Sequence, residues 1–449
     1  MKKILSLALV LAMMLTMSVT AFATEITGNS GSVDITYTYE APVDSYIVTI
    51  PDSMTLGTDA NVSAGDVAIT AGYLLTVSVS SQQYDGGWKL SNGTNTLDYT
   101  LKIDGADIEN NGTVLTAKNG DTAVTKTLVT ALSGTPIYSG NYTDTLTFNV
   151  SIVECNHTFD ENNMCACGVV KVEVEVDLSA LTETYTITDD RSYEFTGSGS
   201  HGIKVESGNP TIVLNNASIM VGEGSAIDVA SGSNATIFVL GDNTIGTIDS
   251  WNDVPSGGIF VAEGGTVNIT SNGTDNILRA HGTHAAAIGG KYIDGSESYN
   301  AGSISISNVT VYAYTNNFYA AAIGAAGRGS CGTINITNAV VYAYGAGDRW
   351  TSTPGIGSAW DHMGWAETIP VVIISGSEIH TFRYNPYSDY IGYLGDEMGE
   401  EGGFYATGSI NCGEGGSVKS STIYCYTGLD ATTTDRVVTY NADGTATEN

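Results

Sequence analysis

One tripeptide keeps returning in the second half of the chain. Ala287-Ile288-Gly289, Ala322-Ile323-Gly324, Gly355-Ile356-Gly357 and Tyr390-Ile391-Gly392 are copies of it. They recur about every 35 residues, and self-similarity at such a period marks stacked, near-identical units, none of which can bury its apolar side alone. The text between the copies repeats as well. Ile304-Ser305-Ile306-Ser307-Asn308-Val309-Thr310-Val311-Tyr312-Ala313-Tyr314 is echoed by Ile334-Asn335-Ile336-Thr337-Asn338-Ala339-Val340-Val341-Tyr342-Ala343-Tyr344. Apolar and polar residues alternate with the period of a strand, and no segment here has helical periodicity.

An all-β chain is therefore expected, with a right-handed parallel β-helix over residues 169–449. After a lead-in strand at 170–178 there should be about seven coils, beginning near Gly202, Ala226, Gly258, Ala287, Ala322, Gly355 and Ile391. Ile203 and Val205, Ile227 and Val229, Ile259 and Val261, and then Ile304, Ile306, Val309 and Val311 should fill its interior. Glycine and asparagine between strands suit tight or left-handed corners.

Residues 24–154 read differently. Val33, Ile35, Tyr37 and Tyr39 alternate with polar residues, and so do Leu146, Phe148, Val150 and Ile152. Short strand-like runs lie between them at 46–50, 74–79 and 97–103, bounded by turn formers. Several short strands at this spacing predict an antiparallel β-sandwich. Before it, Lys2 and Lys3, the apolar run from Ile4 to Val19 and Ala21-Phe22-Ala23 form the pattern of a cleaved secretory signal over residues 1–23. A secreted or cell-surface protein is expected, with no membrane insertion. The net charge of −32 repels nucleic acid and anionic lipid.

Three resemblances add to this reading. Tyr46-Ile47-Val48-Thr49-Ile50-Pro51 and Gly140-Asn141-Tyr142-Thr143-Asp144-Thr145-Leu146-Thr147-Phe148 resemble the Ig-like modules near the N-terminus of many Gram-positive surface proteins. Such modules act as spacers or attachment units. The Gly-Ile-Gly mark with the Ile-x-Ile-x-Asn-x-x-Val-x-Ala phrase resembles the β-helical carbohydrate-binding domain repeats of secreted proteins from gut Firmicutes. That likeness covers most of 200–430. The segment Cys155-Asn156-His157 with Cys165-Ala166-Cys167 resembles the small Cys/His knuckles between modules of secreted clostridial proteins, although those usually end C-x-x-C.

Three thiolates and one imidazole make a tetrahedral set, so Cys155, His157, Cys165 and Cys167 are candidate ligands of a structural zinc in a hinge at 155–168. A disulfide or free thiols are the alternatives this spacing leaves open. A closed set of four ligands leaves no open position for catalysis. Calcium is not expected, because Asp396-Glu397 and Glu400-Glu401 lack the alternating carboxylate spacing of a calcium loop.

Ligand binding has two candidate places. If Val311 and Ala313 point inward, Tyr312 and Tyr314 point outward. Their equivalents are Tyr342 and Tyr344, His380 and Phe382, and Tyr424 and Tyr426, which stacking would align into two exposed aromatic columns. Aromatic planes suit the apolar faces of sugar rings, and the alternative role is a ladder that merely covers the wall. The second place is the insertion 345–403, where Trp350, Trp360 and Trp365 stand beside Asp361 and His362, followed by Tyr384, Tyr387, Tyr390 and Tyr393. Tryptophan, tyrosine and arginine dominate interface energies. Arg279-x-His281-x-x-His284 lacks a nearby acid or third ligand and reads as loop histidines making local hydrogen bonds. The expected function is a non-catalytic adhesin for a glycan or host glycoprotein. The alternatives are an adhesin for a host protein such as immunoglobulin or mucin peptide and, behind that, a β-helical polysaccharide lyase or hydrolase.

Overall fold

The computed structural model describes residues 44–70, 72–121, 123–160, 163–247, 256–291, 300–316, 320–326, 329–346, 353–358, 370–383, 390–392, 410–428 and 431–448. Among these residues the chain is all-β. The one helical element is the 3-10 turn Leu178–Ala180, and no helix is long and apolar enough to cross a membrane. The leader at 1–23 and the strand expected around Val33–Tyr39 lie outside the described residues.

The first part holds two antiparallel sheets. One runs in the order Ser45–Thr49, Asp59–Ala68, Ala123–Leu132, Thr96–Ile103 and Trp88–Ser91. The other runs Gly112–Ala117, Tyr73–Ser81 and Leu146–Glu154. Val62, Leu101 and Leu128 of the first share a core with Leu75, Val77, Val79 and Leu115 of the second. The strands expected at 46–50, 74–79, 97–103 and from Leu146 onward fall on observed strands. Asp59–Ala68 and Ala123–Leu132 were not anticipated. In the former, Gly65 and Asp66, the latter at φ 48, interrupt the alternation that would announce a strand. Val150, expected half-buried, is exposed, although its same-face neighbours Phe148 and Ile152 pack against the core.

From Val174 onward, pairing between successive units is parallel and in register. Each unit contributes to three ladders. The short ladder runs Tyr185–Ile187, Ile203–Val205, Ile227–Val229, Ile259–Val261, Ile288–Gly289, Ile323–Ala325, Ile356–Ser358 and Ile391–Gly392. In the later units the other two run side by side. A polar ladder comprises Thr266–Thr270, Ser303–Ser307, Ile334–Thr337, Val372–Ser375 and Ser417–Lys419. An aromatic ladder comprises Ile277–Gly282, Thr310–Thr315, Val340–Gly345, Glu378–Arg383 and Ser421–Thr427. Beyond Ser421–Thr427 the pairing turns antiparallel, with Arg436–Tyr440 and then Ala446–Glu448. The expected start of the stack near Gly202 is one unit late, because Tyr185–Ile187 already pairs in register with Ile203–Val205. That unit carries no Ile-Gly mark.

Ile203, Val205, Ile227, Val229, Ile259, Val261, Ile304, Ile306, Val309 and Val311 are all buried in one core, as expected. Each such side chain removed from water stabilises the fold by about 1.5–3 kcal/mol. The Ile-Gly mark has a steric cause. Ile288, Ile323, Ile356 and Ile391 stack in register on the inside, and Gly289, Gly324, Gly357 and Gly392 stack behind them. Gly289, Gly324 and Gly357 have φ of 136°, 129° and 136°. A Cβ on Gly324 would collide with the carbonyl oxygen of Gly357, and one on Gly289 with that of Gly324. Neither neighbour can give way, since both are backbone held in the ladder.

Gly324→Ala therefore combines a strained backbone with a backbone clash and should cost about 3 kcal/mol or more. Ser305→Ala, on the outer face of the same stack, should stay within about 0.5 kcal/mol of the parent. Denaturant unfolding of both variants tests this, and equal stability would remove the steric account of the repeat.

Candidate functional site: a double column of stacked rings

The aromatic ladder places like residues over like. Register aligns Arg279, Tyr312, Tyr342, His380 and Tyr424 in one column, and His281, Tyr314, Tyr344, Phe382 and Tyr426 in a second. In the first, ring centroids are 4.5 Å apart for Tyr312–Tyr342, 4.3 Å for Tyr342–His380 and 4.6 Å for His380–Tyr424. In the second they are 5.0 Å for His281–Tyr314, 4.4 Å for Tyr314–Tyr344, 4.2 Å for Tyr344–Phe382 and 4.3 Å for Phe382–Tyr426. Interplanar angles within the columns run from 6° to 15°. The spacing follows from the strand separation of roughly 4.8 Å. The Arg279 guanidinium caps the first column, 4.8 Å from the Tyr312 centroid, and is itself paired with Asp242 at 3.1 Å.

This stacking changes what the columns can offer. The rings were expected to stand exposed, yet His380 and Phe382 are buried and the tyrosines half-buried, because neighbours on each side cover their faces. What remains toward solvent is ring edges and hydroxyls. Burial pushes the Tyr342 phenol up to about 12 and raises Tyr344, Tyr314 and Tyr426 as well. At neutral pH these phenols are intact O–H groups, able to donate and to accept. His380 ties the columns together. Its Nε2 lies 2.8 Å from Oε1 of Glu378 and its Nδ1 lies 2.9 Å from the Tyr426 hydroxyl. The network assigns the proton to Nε2, so Nδ1 accepts from Tyr426.

Beside this wall the polar ladder turns outward Thr266, Asn268 and Thr270, then Ser303, Ser305 and Ser307, then Asn335 and Thr337. Ser307 Oγ donates to Thr270 Oγ1 at 3.0 Å, and Thr337 and Ser375 hydroxyls lie 3.3 Å apart. None of these outward positions is charged, and the ladder's last member puts Lys419 at the position of Thr337 and Ser375.

Cys155, His157, Cys165 and Cys167 form a second candidate site. Their ligand atoms all lie within 4.8 Å of one another and can hold a metal ion. Cys155 Sγ is 3.0 Å from Cys165 Sγ, Cys165 Sγ is 3.2 Å from Cys167 Sγ, and Cys167 Sγ is 3.4 Å from His157 Nδ1. A tetrahedral zinc with bonds of about 2.0–2.3 Å holds its donors roughly 3.3–3.8 Å apart; the two sulfur pairs here are closer than that, and the cluster is loosely compatible with such a site. No disulfide joins the cysteines. The turn is fixed by its own backbone, with Cys165 N–H donating to Val169 O and Gly168 N–H to Cys165 O, both at 2.8 Å. Cys155 closes onto the first part through a 2.9 Å bond from its N–H to Gly72 O. Burial pushes the Cys167 thiol up to about 12, while the neighbouring Cys165 thiol lowers Cys155.

Trp350, Trp360, Trp365, Asp361 and His362 lie outside the described residues, as do Tyr384, Tyr387, Tyr393 and the acidic run 396–401. Tyr390, expected with the binding loop, is instead buried in the core. Its hydroxyl lies 2.9 Å from Asp435 and its ring lies under Arg383 at 4.3 Å. His281, read as a loop histidine, sits with Arg279 on strand Ile277–Gly282, and the two head the columns. Only the register reveals this, since neither is a tyrosine. No family model, no curated protein and no solved structure matches this chain.

Burial, and then the Arg279 charge, lower the pKa of His281 below its ordinary 6.5. A depressed histidine favours the folded state in its neutral form. Its contribution is complete above pH 6.5 and is lost as pH falls through that value toward the folded pKa. The parent should therefore lose more thermal stability between pH 7.5 and 5 than His281→Phe, which keeps the stacked ring. Parallel melting-temperature profiles for the two proteins would contradict this assignment.

Proposed function

We propose that this chain is a secreted or cell-surface binding protein that recognises a glycan or host glycoprotein. Residues 24–154 act as an Ig-like spacer of the Gram-positive surface type. Residues 155–168 form a hinge closed by structural zinc, and 169–449 form a right-handed parallel β-helix that carries the binding surface. One observation supports this reading most. Two columns of stacked rings present neutral phenol hydroxyls and ring edges beside an uncharged wall of serine, threonine and asparagine. Sugars are bound through many neutral hydroxyl contacts, and such a wall supplies donors and acceptors at a fixed repeat. Tyr312, Tyr314, Tyr342 and Tyr344 are the proposed contacts. Trp350, Trp360, Trp365, Asp361 and His362 join them on residue type. A protein ligand, such as immunoglobulin or mucin peptide, is the second reading, favoured by ring faces already covered by one another, which leave a flat surface without slots for single sugars.

Labelled residues 24–449 should bind members of an immobilised panel of plant polysaccharides, mucins and immunoglobulins, and lose that signal after deglycosylation. Signal that survives deglycosylation would replace the glycan reading with the protein-binding one. Silence across the panel would reject both.

The zinc assignment has its own test. Reduced, metal-free protein should take up one equivalent of zinc with release of protons. It should gain about 2.7 kcal/mol of stability at free zinc a hundred times the Kd. Cys165→Ser should abolish uptake. An absence of stoichiometric binding in the parent would leave the cluster as free thiols.

A further inference from the structure

We propose that the groove at the corner between the polar and aromatic ladders is a subsite for a neutral oligosaccharide, held by Glu378, Asn338 and Tyr424. The proposal rests on the glycan reading above and assigns it a place and a sugar class.

The groove has a volume of about 360 Å³ and runs across successive units, with Thr274 beside it. Its floor is made by the corner residues. Four successive units pass from the polar to the aromatic ladder through one residue in the left-handed region: Asn308 at φ 52, Asn338 at 50, Gly376 at 59 and Ser420 at 48. The Asn338 side-chain oxygen lies where a Cβ of Gly376 would be, so the glycine lets the amide lie across the groove. The corner backbone is satisfied from inside. Ser377 Oγ accepts from Ala339 N–H at 3.2 Å, and Ser421 Oγ accepts from Ser377 N–H at 3.1 Å. The outward side chains are thus free of that task.

Glu378 is the group that selects. One of its oxygens is held at 2.8 Å by His380, whose ring is clamped between Tyr342 and Tyr424. The carboxylate is thereby oriented, and its second oxygen has no partner among the described residues. A fixed carboxylate beside an amide suits a pair of adjacent sugar hydroxyls, one donating to the acid and one bonding the amide. Tyr424 closes its column, with His380 on one face and Val437 of the antiparallel strand Arg436–Tyr440 opposite it on the other side, so it offers the groove its ring edge and hydroxyl. No lysine or arginine lines the groove, and the chain carries a net charge of −32. A uronate or other acidic sugar would meet repulsion there with nothing to offset it.

Titration calorimetry of the full chain against cellohexaose, maltohexaose, laminarihexaose and a galactan hexaose, with hexagalacturonate as the acidic probe, tests this. At least one neutral hexaose should bind and the acidic one should not. Glu378→Gln should weaken the neutral ligand at least tenfold and Tyr424→Phe severalfold, both with unchanged melting temperature. Glu206→Gln, exposed elsewhere on the stack, should leave affinity as it is. If a neutral hexaose binds and both groove variants bind it equally well, the subsite is wrong while the glycan reading stands. Preference for hexagalacturonate would overturn the sugar class. If none of the hexaoses binds and the panel above is also silent, the subsite falls with the reading it rests on.

Discussion

In-register parallel pairing is the constraint from which the rest of the second half follows. A parallel ladder sets each residue directly over its counterpart at roughly 4.8 Å. Inside, that suits Ile288 over Ile323 over Ile356, whose branched side chains fill the core with little empty space. Behind them it requires glycine over glycine, because the backbones approach too closely for a Cβ. Outside it places ring on ring, and the flat ring is a large side chain that tolerates such a spacing. Centroid separations of 4.2–5.0 Å exceed the roughly 3.5 Å of carbon contact. They leave room for the lateral offset that the ring quadrupole favours, worth about 0.5–1.5 kcal/mol per pair beyond burial.

The same constraint bears on charge. A charged residue repeated at one register position would stand over its own kind, and like charges directly opposite destabilise a sheet. The chain has 48 acidic residues, yet the central units keep them off the outer ladders. At the start of the stack Glu175 does stand in register with Glu194, but two later sets of charges are opposed. Lys204 is in register with Asp228, and Asp242 pairs with Arg279. A neutral, hydroxyl-rich wall is thus what the stacking permits, and it is also a surface suited to neutral ligands.

Much of this was legible in the residues. The Ile-Gly period marked the units, alternation separated inward from outward residues, and the close spacing of Cys155, His157, Cys165 and Cys167 marked a cluster that could hold a metal ion. Other features depend on quantities a period does not carry. Outward direction at Tyr312 was readable, but the covering of its faces depends on the distance to the next unit. Arg279 and His281 break the tyrosine pattern, so their place at the head of the columns emerges only from register with Tyr312 and Tyr314. Asp59–Ala68 escaped notice because Gly65 and Asp66 hide its alternation. The groove was invisible because Asn338, Glu378 and Tyr424 belong to successive units and are brought together only by stacking.

One column shows that register position alone does not decide a residue's character. Glu194, Val213, Phe238, Thr270, Ser307, Thr337 and Ser375 succeed one another at the same position. Val213 and Phe238 are apolar and fully buried, whereas the later members are hydroxyls. The difference lies in what covers them. Met164 and Val170, flanking Cys165 and Cys167, pack on Val213 and Phe238 together with Leu240. An outward aromatic such as Phe238 is stable there because the Cys/His turn shields it, and removing that cover would expose a large apolar patch. The turn is short and has little core of its own, so its order depends on its own backbone bonds, on this apolar contact and on whatever its four converged ligand atoms hold. Metal binding at the cluster would therefore stabilise more than the turn. It would secure the cover over the first units of the stack, on which the later units are built.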